Sequence, residues 1–254
     1  MAEAGATAMA VSRLPRRGTL VLLRHAQSVW NVENRFSGWA DVGLSARGVE
    51  EARLAGAQLR RQGLVFDIAF VSQLARAQDT LDIVLAELGQ ASLPIGVHWR
   101  LNERHYGALQ GLDKDETAAR YGATRFQRWR RGYRDTPPAL AADDPRHPRF
   151  DPAYANVPAA LLPAAESLAD TEQRVLPYWR QVIAPQLAAG KAVLVVTHGN
   201  TLRALIKYLN GLTVPEVERL EIATARPLVY EPGDIGGSYR RGIDNSLEAW
   251  SGCP

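Results

Sequence analysis

Two apolar segments, far apart in the sequence, each end in a histidine that is followed by polar residues. The first runs from Thr19 through Arg24 to His25, and the second from Lys191 to His198. A continuous apolar, β-branched run indicates a strand buried on both faces, as in a parallel sheet. Ligands of open α/β sheets bind at the carboxyl ends of the strands. Both histidines are therefore predicted to lie at one edge of a parallel sheet.

Strand-like and helix-like patterns alternate along the rest of the chain. This order predicts an α/β fold, with a mostly parallel central sheet, helices on both faces and right-handed crossovers. The predicted strands are 19–24, 67–72, 94–99, 191–197, 227–230 and 238–240. The predicted helices are 45–63, 74–89, 166–187 with a kink at Pro177, and the stretch after His198. Residues 32–43 are predicted to form a loop.

Residues 101–165 differ from this pattern. They contain two short helical patterns, followed by a proline-rich stretch, 137–163, without a clean period. We expect a helical and irregular cap insertion over the site, because the stretch has no core of its own. Residues 18–254 are thus predicted to be a single catalytic domain. Residues 1–17, rich in alanine and arginine, are interpreted as a disordered extension, with an organellar transit peptide as the alternative.

The bulk composition limits the class of protein. The formal net charge of the 254-residue chain is only +3, and no basic block with interleaved aromatics occurs, which disfavours nucleic acid. A pocket for a polyanionic small molecule would give the same excess. No apolar run is long enough to cross a bilayer. The single cysteine, Cys253, excludes an intramolecular disulfide and suits the cytosol, so a cytoplasmic protein is expected.

Histidines and arginines at strand ends indicate an oxyanion substrate. Guanidinium groups match phosphate oxygens in bidentate fashion, and a histidine facing phosphate can form a phosphohistidine. Arg24, Arg76 and Arg203 lie at junctions between a predicted strand and a predicted helix, and Glu103 follows the end of another predicted strand. The alternative is a strand-end histidine that only makes backbone hydrogen bonds.

Other catalytic classes lack their signatures. There is no HExxH pair or cysteine support for zinc, and adjacent arginines would repel a cation, so no metal is expected. A GxxxxGK[ST] nucleotide loop and a serine nucleophile elbow are also absent from the sequence.

Longer motifs carry a family resemblance. They occupy residues 22–41, 44–52, 101–111, 127–132, 198–205 and 227–231. The most specific is the run Asn-Glu-Arg-His-Tyr-Gly at 102–107. In order and over nearly the whole chain, these motifs resemble the cofactor-dependent phosphoglycerate mutases of the histidine phosphatase superfamily. The resemblance implies interconversion of 3-phosphoglycerate and 2-phosphoglycerate in glycolysis and gluconeogenesis, with 2,3-bisphosphoglycerate as primer, no metal and a homodimer.

The resemblance also implies roles for individual residues. It makes His25 the phosphorylated nucleophile and Glu103 the proton donor and acceptor. The residues implied to surround the phosphoryl group are Arg24, Arg76, His198, Asn200 and the Gly199 amide. Those implied to contact the rest of the substrate are Asn31, Ser37 and Gly38, and those implied to hold its carboxylate and second phosphate are Tyr106, Lys114, Arg130 and Arg131. Without the resemblance, Arg130 and Arg131 would be read as a solvated helix face.

The sequence departs from the family pattern beside the nucleophile. Ala26 and Gln27 replace the usual Gly-Glu, Ser37 replaces a threonine, and Ala75 replaces a lysine. A methyl group at Ala26 would cause strain if that position required a positive φ. Two alternatives to a mutase therefore remain: a phosphatase with the same nucleophile, and a weakly active paralogue that binds phosphorylated metabolites.

Overall fold

The central sheet has six strands in the part of the chain that the structure, a computed structural model, describes, namely residues 18–232 and 239–241. The strands are β1 (Leu20–Arg24), β2 (Ile68–Val71), β3 (Ile95–Val97), β4 (Val193–Thr197), β5 (Leu228–Pro232) and β6 (Tyr239–Arg241). Their order in the sheet is β3-β2-β4-β1-β5-β6. The pairs from β3 to β1 are parallel, whereas β5 and β6 are added antiparallel. The predicted mostly parallel sheet is confirmed.

Helices cover both faces of this sheet. They are α1 (Val29–Val32), α2 (Ala46–Arg61), α3 (Ala75–Leu88), α4 (Lys114–Tyr121), α5 (Ala123–Arg131), α6 (Leu168–Tyr178), α7 (Ala184–Ala188), α8 (Gly199–Asn210) and α9 (Val214–Arg219). Side chains of a strand alternate between faces, and the core follows that alternation. Leu20 and Leu22 pack with the α6–α8 side, while Val21 and Leu23 pack with α2 and α3. The apolar runs are continuous because both faces of the strands are buried.

The register of β1 and β4 places the two histidines together. Arg24 lies opposite Thr197 in this parallel pair, so His25 and His198 each come one residue after the same rung. The His25 amide extends the ladder by donating to the Thr197 carbonyl at 2.8 Å. The predicted meeting of the two histidines at one sheet edge is confirmed.

The cap insertion is helical at first and irregular afterwards, as predicted. After α4 and α5, the chain runs to Ser167 through short 3₁₀ turns. Its buried side chains join small clusters with residues of the loop after β1. Phe36 packs with Phe126, and Trp39 packs with Tyr154. The cap is thereby fastened to the loop that follows the first strand.

Several element boundaries differ from the predictions. One helical turn, α1, forms within the polar stretch because Ser28 and Asn31 cap it reciprocally. The strand predicted over 94–99 shortens to β3, since His98 caps a 3₁₀ turn. The helix predicted over 166–187 starts at Leu168 and passes into a π-helical segment at 179–183, directly after Pro177. A proline lacks the amide that would continue the regular ladder.

Two other expectations concern the N-terminal extension and membrane-spanning segments. The predicted extension at 1–17 lies outside the described residues. Within the described part, no helix combines the length and the apolar character needed to span a membrane.

Candidate active site

A cavity of about 160 Å³ opens at the carboxyl edge of β1 and β4. Thirteen of the fourteen residues singled out from the sequence line it, namely Arg24, His25, Asn31, Ser37, Gly38, Arg76, Glu103, Tyr106, Lys114, Arg130, Arg131, Gly199 and Asn200. The fourteenth, His198, is fully buried, and its ring centroid lies 5.0 Å from that of His25. The structure thus brings the whole predicted set together, whereas their individual roles stay predictions.

His25 is held with one ring nitrogen available. Its Nδ1 lies 2.7 Å from the Ala26 carbonyl, which can only accept, so Nδ1 carries the proton. Nε2 therefore presents a lone pair. Burial first, and then the Arg76 and Arg24 cations, hold the pKa of the His25 imidazole well below its usual 6.5. A neutral imidazole with a free Nε2 is the form that can attack phosphorus.

His198 provides a second buried imidazole beside the first. Its Nε2 lies 2.8 Å from the Ser72 hydroxyl, and its Nδ1 is buried without a hydrogen-bond partner. Burial, followed by Arg76 and His25, lowers the pKa of His198 well below 6.5. A buried polar atom without a partner is costly, and an oxyanion bound beside His25 would supply that partner if Nδ1 carries the proton.

Two arginines, the half-buried Arg24 and the buried Arg76, flank His25. Arg24 Nη1 donates to the Ile222 carbonyl at 2.7 Å, and Arg76 Nη2 donates to the Gly38 carbonyl at 2.8 Å. In both residues the Nε is buried without a partner. Burial lowers the pKa of both guanidinium groups, that of Arg76 to about 10. We call Arg24, His25, Arg76 and His198 the sheet-edge group, and its unused donors suit a phosphoryl group.

Glu103 is the one acidic residue predicted to act in the site. It follows the 3₁₀ turn after β3 and is 8% exposed. Its Oε1 accepts from the amides of Arg104 at 2.8 Å and Asn200 at 3.1 Å. These two amides fix the carboxylate at the cavity wall. A fixed carboxylate facing a bound hydroxyl can take or return its proton.

Tyr106 and Asn200 form a hydrogen-bonded unit next to Glu103. Asn200 Nδ2 donates to the Tyr106 hydroxyl at 3.1 Å, and Arg104 Nη2 donates to the same oxygen at 3.0 Å. Burial raises the pKa of Tyr106, but Arg104 and these hydrogen bonds outweigh it and the net shift is downward. Arg203 Nη1 in turn donates to Asn200 Oδ1 at 2.9 Å. Each polar atom of the Asn200 side chain is therefore oriented by a neighbour.

The cap supplies a second set of cations, Lys114, Arg130 and Arg131, which we call the cap cations. Lys114 begins α4, and the two arginines end α5. All three line the cavity and are partly exposed. Burial lowers the pKa of Lys114, whose Nζ lies 5.8 Å from the centre of the Phe36 ring. The cavity can accordingly receive a molecule with two anionic groups, one at the sheet edge and one under the cap.

The altered turn after His25 is well accommodated. The only non-glycine residues with positive φ in the described part of the chain are Asn34 and Ala225, so Ala26 carries no such strain. The Ala26 amide donates to the Thr80 hydroxyl at 3.0 Å. Gln27 accepts from the Ser45 hydroxyl at 2.8 Å through its side-chain oxygen. Gly38, by contrast, has a φ of +52°, and a Cβ there would lie 2.1 Å from Gln110 Oε1.

Some residues of the cavity wall were not assigned roles from the sequence. They are Arg35, Phe36, Arg203, Leu220, Glu221 and Ile222. Arg203 was noted only as a cation after a strand end. The stretch 220–222 follows α9 and shows no period, so no sequence signal marked it.

The described residues contain no cluster of three or more histidine, cysteine, aspartate or glutamate side chains suited to a metal ion. Seven cationic side chains and two carboxylates line the cavity within that part of the chain. Such a donor set fits an organic polyanion such as a bisphosphorylated primer and repels a metal cation.

Comparisons with known proteins agree with this geometry. The profile of the histidine phosphatase superfamily (branch 1) matches residues 20–147 and 139–242. A 2,3-bisphosphoglycerate-dependent phosphoglycerate mutase of Nitratidesulfovibrio vulgaris (strain DSM 19637 / Miyazaki F) is 58% identical over 212 residues, covering 84% of this chain and 85% of that protein.

Two solved structures share the fold. A mycobacterial glucosyl-3-phosphoglycerate phosphatase in complex with VO3 has a TM-score of 0.62 and 27% identity, over 88% of this chain and 95% of that one. An alpha-ribazole phosphatase from Shigella flexneri has a TM-score of 0.64 and covers 89% of this chain and 100% of that one. At 22% identity, the second supports the fold alone.

Proposed function

Because the chain belongs to the histidine phosphatase superfamily, a family of enzymes, we propose that it interconverts 3-phosphoglycerate and 2-phosphoglycerate through a phosphohistidine at His25. The observation that carries the proposal is the pairing of a sheet-edge group with a separate set of cap cations in one cavity. A phosphoglycerate presents a phosphate to the first and a carboxylate to the second. The 58% identical mutase supports the same substrate.

In the proposed reaction, His25 Nε2 forms a bond to phosphorus while the bond from phosphorus to the substrate oxygen breaks. Glu103 donates the proton that this leaving oxygen needs. In the return step, a substrate hydroxyl attacks the phosphohistidine, gives its proton to Glu103 and restores the free Nε2. Arg24, Arg76 and His198 stabilise the charge on the phosphoryl oxygens as it passes between the two atoms.

The proposed primer is 2,3-bisphosphoglycerate, which supplies the phosphoryl group that first loads His25. The residues that would hold it are those of the sheet-edge group and the cap cations. The buried, unpartnered Nε atoms of Arg24 and Arg76 and the unpartnered Nδ1 of His198 support the fit of one phosphate. The partly exposed positions of Lys114, Arg130 and Arg131 on the cavity wall support the fit of a second anion.

A second candidate function is phosphomonoester hydrolysis by the same nucleophile. It is favoured by the 27% identical solved structure of a glucosyl-3-phosphoglycerate phosphatase. In that reaction water, instead of a substrate hydroxyl, would take the phosphoryl group from His25. The two functions share every residue of the sheet-edge group and differ in the acceptor.

The deciding experiment follows conversion of 3-phosphoglycerate to 2-phosphoglycerate by the full chain, with and without 2,3-bisphosphoglycerate, in the presence of a chelator. Released phosphate is measured in parallel. We expect primer-dependent conversion that His25→Ala abolishes and that His98→Asn retains, since His98 lies outside the cavity. Phosphate release without isomerisation would establish the hydrolase instead. Neither activity in a folded sample would leave only a binding role.

The same proposal includes a cytosolic, glycolytic or gluconeogenic setting and a homodimer. An edge strand with two exposed aliphatic side chains, Ile95 and Val97 in β3, supports self-association. Light scattering of the purified chain tests the dimer, and a monomer at micromolar concentration would contradict it.

A further inference from the structure

One carboxylate occupies an unexpected place at the cap end of the cavity. Glu221 lines the cavity among its seven cations and pairs through Oε1 with Nη2 of Arg131. Its side chain is 74% exposed, whereas that of Arg131 is 27% exposed. A negative charge in a cavity lined by cations opposes the binding of an anionic ligand, so the position of Glu221 calls for a physical reason.

Glu221 is not needed to hold the main chain of Arg131 in position. The Arg131 carbonyl accepts from Arg203 Nη2 at 3.0 Å, and Arg203 also donates to the Val217 carbonyl at 2.8 Å. The end of α5 is therefore fixed to α8 and α9 by a buried guanidinium. What Glu221 contacts is the free end of Arg131, the part that a bound anion would use.

The same short stretch also reaches the sheet-edge group. The carbonyl of Ile222, the next residue, accepts from Arg24 Nη1 at 2.7 Å. Residues 221 and 222 thus contact one cation at each end of the cavity. The main chain is held at Arg24, while the exposed Glu221 side chain can swing into water at little cost.

We propose that Glu221 is an internal anion that occupies Arg131 in the ligand-free protein and is displaced by the second anionic group of a ligand. The inference rests on the proposed function, since it takes the ligand to be a phosphoglycerate whose carboxylate uses Arg131. Glu221 lowers the affinity for such two-anion ligands by competing for Arg131. A ligand that fills only the sheet-edge group, such as inorganic phosphate, leaves the Glu221–Arg131 pair intact.

The expected change in ligand affinity follows from the solvent exposure of the ion pair between Glu221 and Arg131. Exposed ion pairs contribute less than about 1 kcal/mol, which corresponds to about a five-fold change in affinity. Glu221→Gln should therefore tighten 3-phosphoglycerate binding about three- to five-fold and leave inorganic phosphate binding within about 1.5-fold. The difference should shrink as salt is raised, because the competing contact is solvent-exposed.

The experiment measures the Kd of 3-phosphoglycerate and of inorganic phosphate by calorimetry in the His25→Ala chain, where no turnover occurs. His25→Asn replaces it if the alanine variant does not fold. Glu50→Gln is the matched control, because Glu50 forms an exposed ion pair with Arg53 outside the cavity. In an Arg131→Ala background, Glu221→Gln should have no effect on the Kd of 3-phosphoglycerate, because the guanidinium for which Glu221 and the ligand compete is absent.

The outcomes separate this inference from the proposed function. Unchanged or weaker 3-phosphoglycerate binding in Glu221→Gln, or an effect that persists without Arg131, overturns the inference and leaves the mutase proposal standing. Tighter binding by the variant, in an enzyme that does not isomerise 3-phosphoglycerate, supports the inference and refutes the mutase. Absence of any 3-phosphoglycerate binding overturns both.

Discussion

Replacing Arg174 with methionine should reveal what holds the main chain around Glu103 in place. Arg174 lies on α6 with a side chain 5% exposed, and it forms an ion pair with Glu166, whose side chain is 4% exposed. Its Nε and Nη2 donate to the two carboxylate oxygens at 2.5 and 2.9 Å. Its remaining donors reach four main-chain carbonyls between residues 99 and 103, at 2.8–3.4 Å. The last of these carbonyls belongs to Glu103.

The expected loss of stability follows from the unpaired carboxylate that the substitution leaves buried. Arg174→Met removes the partner of a buried carboxylate, and breaking such a pair costs about 3–5 kcal/mol. For a chain of this size, about 2–4 °C of Tm is lost per kcal/mol, so the Tm should fall by about 6–20 °C. A compensating Glu166→Met should recover part of the loss, because the uncompensated charge disappears. Arg53→Met, which breaks an exposed pair with Glu50, should change stability by less than about 0.5 kcal/mol.

The assays are urea unfolding and, at a temperature where the variant is folded, turnover of 3-phosphoglycerate. Under the proposed function, the kcat should fall more than the KM rises, because Arg174 holds the main chain of Glu103 and forms no hydrogen bond with the cap cations. A cost below about 1 kcal/mol, or a cost no larger than that of Arg53→Met, would refute the reasoning. An unchanged kcat in a destabilised variant would restrict Arg174 to folding alone.

Three further predictions concern His25 and the turn that follows it. Because burial, Arg76 and Arg24 keep the pKa of His25 well below 6.5, phosphoenzyme formation measured by rapid quench should persist as the pH falls from 7 to 6; a loss centred near 6.5 would contradict this. Because of the same lowered pKa, the unfolded chain binds more protons than the folded protein as the pH falls below about 6.5. The urea midpoint of unfolding should therefore drop over that range. A midpoint that rises would contradict this prediction. Gly48→Ala should lower both the Tm and the activity, although alanine has the better helix propensity, because its Cβ would lie 2.0 Å from the Gln27 carbonyl oxygen. Gly43→Ala is the control, since open space surrounds that position. Equal Tm values for the two variants would count against the clash.

The sequence was most informative where local pattern and topology act together. The apolar runs before His25 and His198 predicted two parallel strands, and their adjacency in the sheet is confirmed. The helix predicted over 45–63 is α2, and the hydroxyl of Ser45 caps its start by accepting from the Gly48 amide at 3.0 Å. In these cases, the deciding interactions are close in sequence or set by strand pairing.

Long-range polar partners could not be predicted. Glu221 pairs with Arg131, which is 90 positions earlier, and both would be read locally as solvent-exposed charges. Arg174 lies on a helix whose apolar pattern was recognised, but nothing in that pattern shows that a charged side chain faces inward. The sequence predicted only a kink at Pro177, and the π-helical segment at 179–183 was not predicted.

The strand register of β1 and β4 separates the placement of the two histidines from the placement of the cap cations. His25 and His198 are set by the hydrogen-bond ladder of buried strands, whereas Lys114, Arg130 and Arg131 are carried by short helices of the cap. Under the proposed function, substitutions in the cap would therefore alter which molecule is recognised without moving the His25 imidazole. For protein engineering under that proposal, a library aimed at new substrates belongs in α4, α5 and residues 220–222, while the residues at the sheet edge are kept unchanged.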